Sequence, residues 1–159
     1  VLFRSYHGWL SPFSRKVRIV LGEKGLEFDL VVEKDWERRR EFLMLNPAGT
    51  VPVLVEADGS VFSDANAICE YIDETHAPGA LCGTEPHERA ETRRLVAWFD
   101  QKFYREVTNN LVGEKLYKRF MVMGTPDSGA IRAGHANLAP HLEYIAWLCD
   151  RRTWLAGPT

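Results

Sequence analysis

The sequence predicts an α/β sandwich followed by a wholly helical region. Three observations carry this reading. Short β-rich runs alternate with amphipathic helical stretches through the first half of the chain. Asp58-Gly59 separates two such runs, a strong short-range hairpin signal. Beyond about residue 86 strand patterns cease, and Leu95, Phe99, Phe103, Val107 and Leu111 recur every four residues.

The elements follow in order. Residues 1–6 read as a strand. Ser11-Pro12 is a helix start, with serine at the cap and proline in the first turn. Phe13, Val17, Val20 and Leu21 form one face of that helix, and Gly25 closes it. Residues 28–32 read as a second strand and residues 36–45 as a charged short helix or irregular turn. Residues 51–57 and 60–62 form the hairpin around Asp58-Gly59. Asp64 caps a further helix with Ala67, Ile68, Tyr71 and Ile72 inside. The order β-α-β-α-β-β-α implies a mixed sheet over residues 1–76.

Residues 77–85 form a linker punctuated by Pro78-Gly79 and Gly83. Residues 86–159 make the helical region, with a long helix over about 88–120. Gly124-Thr125-Pro126-Asp127 breaks it. A second helix spans about 128–151, with Leu138, Leu142, Ile145 and Cys149 on its inner side. An interior proline costs about 3 kcal/mol, so Pro140 predicts a kink or a helix start nearby. Two helices bury their apolar faces poorly alone, and Trp147, Trp154 and Leu155 need something to pack on. The helical domain is therefore expected to be incomplete in this chain.

Composition narrows the function classes. Twenty basic and 22 acidic residues give a net charge of −2. That balance argues against nucleic-acid binding and a polybasic membrane contact. No apolar run approaches the roughly 20 residues of a membrane span, and the start lacks a signal-peptide pattern. Cys69, Cys82 and Cys149 have no metal-ligand or Cys-x-x-Cys spacing, so no metal is expected. A reducing, cytoplasmic setting fits.

The most informative run is Asn46-Pro47-Ala48-Gly49-Thr50-Val51-Pro52-Val53-Leu54. Pro52 lacks the N–H that an inner strand would use. A proline at that position predicts a special backbone, such as a cis Val51–Pro52 bond. The Val51 N–H and C=O would then face outward, free to pair with an extended ligand.

Together these residues resemble the cytosolic glutathione transferase superfamily. The run from Asn46 to Leu54 resembles its NPxGxVPxL signature. Ala67-Ile68-Cys69-Glu70-Tyr71-Ile72 is similar to its AIxxYI helix, and Ser11-Pro12-Phe13-Ser14 to the serine-type active-site turn. Trp154-Leu155-Ala156-Gly157 resembles the stretch before a later core helix. The resemblance implies a thioredoxin-like N-terminal domain, an all-α C-terminal domain and a homodimer. Leu95 to Phe103, with Arg119 and Met123 to Asp127, resembles a narrower bacterial group. That group includes an alphaproteobacterial protein that binds the division GTPase FtsZ.

The resemblance also implies roles. Ser11 would donate a hydrogen bond to the glutathione thiolate at a helix N-terminus. The thiol's ordinary pKa, about 8.5 like that of free cysteine, must fall for catalysis at neutral pH. Phe13, Val51 and Pro52 would flank the tripeptide, with Val51 holding its cysteinyl backbone. Asp64 and Ala65 stand where the family usually has Glu or Gln followed by Ser. The acid takes the γ-glutamyl ammonium; Ser and the helix N–H groups take its carboxylate. Ala65 lacks that hydroxyl, and a hydrogen bond to a charged group is worth about 1.5–3 kcal/mol. Tyr6 and Tyr104 are candidates for the substrate site, although core packing is the competing reading for Tyr6. Lys115 and Tyr117 share the Tyr104 helix. Arg38-Arg39-Arg40 offers a partner for the glycyl carboxylate, but such a cluster is usually a solvated face, as a lone loop histidine like His7 is usually solvated.

Two functions follow. In the first, glutathione is the co-substrate of a transferase attacking a small-molecule electrophile. In the second, a non-catalytic dimer binds the FtsZ filament. A thiol-disulfide oxidoreductase is disfavoured, because Ser11 and Ser14 occupy the cysteine places of the redox turn.

Overall fold

The computed structural model describes residues 3–77 and 79–157. The chain divides into two compact units, with the boundary between Leu81 and Cys82.

The first unit contains β1 (Phe3–His7), α1 (Pro12–Glu23), β2 (Phe28–Val32), a 3-10 turn (Asp35–Glu37), α2 (Arg40–Leu45), β3 (Val53–Glu56), β4 (Val61–Ser63) and α3 (Ala65–Thr75). The sheet order is β2-β1-β3-β4. β1 runs parallel to β2 and antiparallel to β3, which pairs antiparallel with β4. This is the expected mixed sheet, in the thioredoxin-like arrangement that the family resemblance implies.

Side-chain alternation along the strands builds two cores. Phe3 and Leu54 face Val17 and Leu21 of α1 and Ile68 and Ile72 of α3. Val53 and Val51 pack with Phe42 of α2, and Tyr6 joins them. Tyr6 thus takes the packing role; its ring lies 5.9 Å from that of Phe42. On α3 the inner residues are Ala65, Ile68, Cys69 and Ile72. Ala67, expected inside, is exposed, because the face is set by Ala65 three residues before Ile68.

Local signals end the helices as expected. Gly25 has φ +64°, its N–H reaches the Gly22 carbonyl, and Leu26 N–H reaches that of Leu21. This is the Schellman pattern, which needs a left-handed residue after the cap. Lys24, the capping residue, is buried. Its ammonium pairs with Asp73 at 2.7 Å and also donates to the Gly79 carbonyl, tying α1 to the end of α3 and the segment beyond.

The second unit is helical: α4 (Pro86–Ala97), a π-wound segment (Trp98–Tyr117), a final turn α5 (Lys118–Phe120), then α6 (Ser128–Cys149). A four-residue repeat precesses by about 40° per step on a 3.6-residue helix. Leu95 of α4 and Phe99, Phe103, Val107 and Leu111 of the wider-wound segment are all buried or half-buried.

On α6 the inner residues are Ile131, Gly134, Leu138, His141, Ile145 and Leu148, spaced alternately three and four apart. Leu142 and Cys149, expected inside, are exposed, whereas Ile145 and Leu138 hold their predicted side. Gly134 marks the closest approach of the two helices. A Cβ there would lie 2.9 Å from Asn110 Cβ and from Leu111 Cδ2. The helix runs through Pro140, so no helix starts there. Pro140 is exposed, and the side of α6 it interrupts faces away from the core.

Candidate functional site

The end of β1 turns tightly into α1. Ser11 caps α1, and its Oγ accepts the Ser14 N–H at 3.1 Å. Ser11 N–H donates to the Gly8 carbonyl, and Gly8 N–H donates to Ser14 Oγ. A hydroxyl that accepts one bond keeps its own hydrogen to donate. Capping and thiolate stabilisation are therefore compatible at Ser11. Phe13 lies at the second helical position, half-buried against the α1–α3 core.

Gly8 is where the predicted residues converge. A Cβ built there would lie 3.4 Å from Val51 Cγ2 and 3.6 Å from Ser11 Cβ. The Val51–Pro52 bond is cis, as expected, and Pro52 is buried. Strand pairing starts only at Val53, opposite Tyr6 and Ser63. Burial raises the Asp35 carboxyl above its ordinary range, and nearby backbone N–H groups only partly offset this.

Asp64 stands at the N-cap of α3 with φ +73°. Its Oδ1 accepts the Asn66 N–H at 2.8 Å and the Ala67 N–H at 3.1 Å. Those are the N–H groups a ligand carboxylate would use at a helix N-terminus. The chain's own carboxylate already takes those two groups. Ala65 beside it is 5% exposed and contributes no hydroxyl.

Arg38, Arg39 and Arg40 are all exposed, as on a solvated face, and two of them also have defined contacts. Arg39 clamps Glu33 in a bidentate pair, with the Glu33 side chain fully buried. Arg38 has φ +48° and lies over Gly49, 3.3 Å from where a Cβ would sit. Trp36 is half-exposed in the 3-10 turn. Tyr104 is half-buried in the π-wound segment of the second unit, where Lys115 is exposed beside His135 and Tyr117 is half-buried.

Three features escaped sequence reasoning. His7 is fully buried rather than solvated, because β1 extends to it and points it to the same side as Phe3 and Ser5. Its ring meets exposed Trp9 edge-on at 4.8 Å. In the second unit, buried His141 accepts the Trp98 Nε1–H on Nδ1 at 3.1 Å. Indole is only a donor, so His141 carries its proton on Nε2 and gives it to Glu106, 3.0 Å away. Glu91 binds Arg94 and Arg152, which hold its carboxyl down at about 2. The available signal for His7 was the alternation Phe3-Ser5-His7; no local pattern marks the other two.

His7 makes stability depend on pH. Burial, then the Arg18 charge, lowers its pKa from 6.5. The folded chain therefore refuses a proton that the unfolded chain accepts. Stability is held above about pH 6.5 and falls as pH drops below it. Urea titrations at pH 7 and pH 5 should show this loss, and a smaller one in His7→Phe. Equal losses in the two proteins would remove His7 from the account.

Comparison with known proteins gives concordant findings. The family model for the glutathione S-transferase N-terminal domain matches residues 10–75. FtsZ-localized protein A of Caulobacter vibrioides is 47% identical over 96% of this chain and 68% of its own length. A crystal structure of a glutathione S-transferase from Rhodospirillum rubrum is 56% identical, with TM-score 0.96 over 99% of this chain and 71% of that one. The structure of FzlA from C. crescentus is 46% identical, with TM-score 0.96 over all of this chain and 72% of that one. Among the described residues no helix is long and apolar enough to cross a membrane.

Proposed function

Because this chain belongs to the glutathione S-transferase superfamily, we propose that it uses the transferase fold chiefly to bind a protein filament, FtsZ, and holds glutathione weakly. The observation that carries this is the γ-glutamyl seat. Asp64 Oδ1 already takes the Asn66 and Ala67 N–H groups, and Ala65 offers no hydroxyl. Glutathione would have to displace a carboxylate with a carboxylate. The name of the Caulobacter relative, FtsZ-localized protein A, favours the filament as partner.

The second reading is conjugation of glutathione to a small electrophile. Ser11 at the α1 N-terminus favours it, since its hydroxyl hydrogen stays available. There Ser11 would stabilise the thiolate, Phe13, Val51 and Pro52 would flank the tripeptide, and Asp64 would meet the ammonium through its second oxygen. Tyr6 and Tyr104 would be the candidates for the electrophile's side. In either reading the protein is a cytoplasmic bacterial homodimer.

Pelleting with FtsZ polymers separates the readings. The filament reading expects this chain in the pellet without glutathione, and Ser11→Ala pelleting equally well. Recovery in the supernatant at every concentration, together with glutathione-dependent turnover lost in Ser11→Ala, would leave the transferase reading alone.

A further inference from the structure

The turn that ends the long helix of the second unit exposes large apolar side chains. Phe120 is 69% exposed, Val122 89% and Met123 65%, with Leu116 one turn earlier at 40%. Soluble surfaces rarely group such residues without a purpose.

The backbone adds an independent observation. Met123 N–H donates to the Lys118 carbonyl and Val122 N–H to that of Arg119. This is the same terminating pattern that Gly25 makes after α1. Here the left-handed position is Val122, at φ +53°. Glycine is favoured at that position, and a β-branched residue is strained there. Val122 gains no burial in return. A strained, exposed valine where glycine would be cheaper marks a side chain kept for contact.

Charge defines the contact. Lys115 and Arg119 are exposed on the last turns of the same helix. The nearby acids are engaged within the chain: Glu114 pairs with Lys118 and accepts the Asp127 N–H, and Asp127 caps α6 through Gly129 and Ala130. The tip therefore presents apolar anchors with a basic flank.

The geometry points to this tip, Leu116 to Met123, as the docking surface for an acidic segment with apolar anchors on the protein filament. This rests on the filament-binding reading above and names the surface that serves it. Binding combines burial of Phe120, Val122 and Met123 with attraction to Arg119 and Lys115, so it weakens with salt.

The test is pelleting of the full chain with preassembled FtsZ polymers at two salt concentrations. Arg119→Glu and the double variant Phe120→Ser/Met123→Ser should each weaken binding about tenfold or more, with thermal unfolding as in the parent. Val122→Gly should raise the unfolding midpoint while weakening binding, a combination that a purely structural role does not produce. If the parent pellets and all variants pellet equally, this docking surface is wrong and the filament reading stands. If the parent stays in the supernatant, the filament reading and this surface fall together. Sedimentation with phosphatidylglycerol vesicles, lost in the same variants while filament pelleting persists, assigns the tip to a lipid surface and overturns the protein occupant.

Discussion

Replacing Ala65 with serine is expected to tighten glutathione binding roughly ten- to a hundredfold. The restored hydroxyl would reach the γ-glutamyl carboxylate at the start of α3, and a hydrogen bond to a charged group contributes about 1.5–3 kcal/mol. Ala65 is buried at the N-terminus of that helix, so the new group sits on a rigid element. The gain stays below what a fully open seat would give, because Asp64 still occupies the Asn66 and Ala67 N–H groups. Calorimetry on parent and variant measures it. Equal affinities would mean that the missing hydroxyl does not limit binding.

Asp73→Ala should cost about 3–5 kcal/mol, the largest single loss of stability expected in the first unit. The Lys24 ammonium has no exposed side-chain surface and meets Asp73 Oδ1 at 2.7 Å. Asp73 Oδ1 also accepts the Leu81 N–H at 2.8 Å. Removing the carboxylate takes a close counter-charge from a buried cation, leaving it to carbonyl partners such as Gly79, and releases that N–H. Such a loss is a large part of the 5–15 kcal/mol that holds a typical domain. Lys24→Met/Asp73→Leu should recover most of it, because removing both charges removes the desolvation cost too. Urea midpoints for the single and double variants decide. A single variant within about 1 kcal/mol of the parent would refute the role given to this pair.

What was legible in the sequence was local. Ser11, Gly25 and Asp64 terminate their helices through bonds to residues within five positions, so type and spacing reveal them. Asp58-Gly59 set the hairpin for the same reason. The sheet order follows once one parallel and two antiparallel pairings are required of these strands. Helix rotation was harder. On α6, Leu142 looked more apolar than His141, but His141 is inside because Trp98 and Glu106 satisfy both its nitrogens. Those partners lie 43 and 35 residues away, beyond any local pattern.

The candidate site divides in the same way. Ser11, Val51 and the Asp64–Ala65 pair were legible because a motif of fixed spacing places them. Their occupancy was not. That Arg39 is committed to Glu33 depends on how the segment after β2 folds. A run of charges carries no sign of which member will be buried.

The most direct test of the central claim is a calorimetric titration of the unmodified protein with glutathione. A seat whose N–H groups Asp64 already takes predicts no saturation below about 1 mM, equivalent to roughly −4 kcal/mol or weaker. Saturable binding at micromolar glutathione would contradict it and restore the transferase reading to first place.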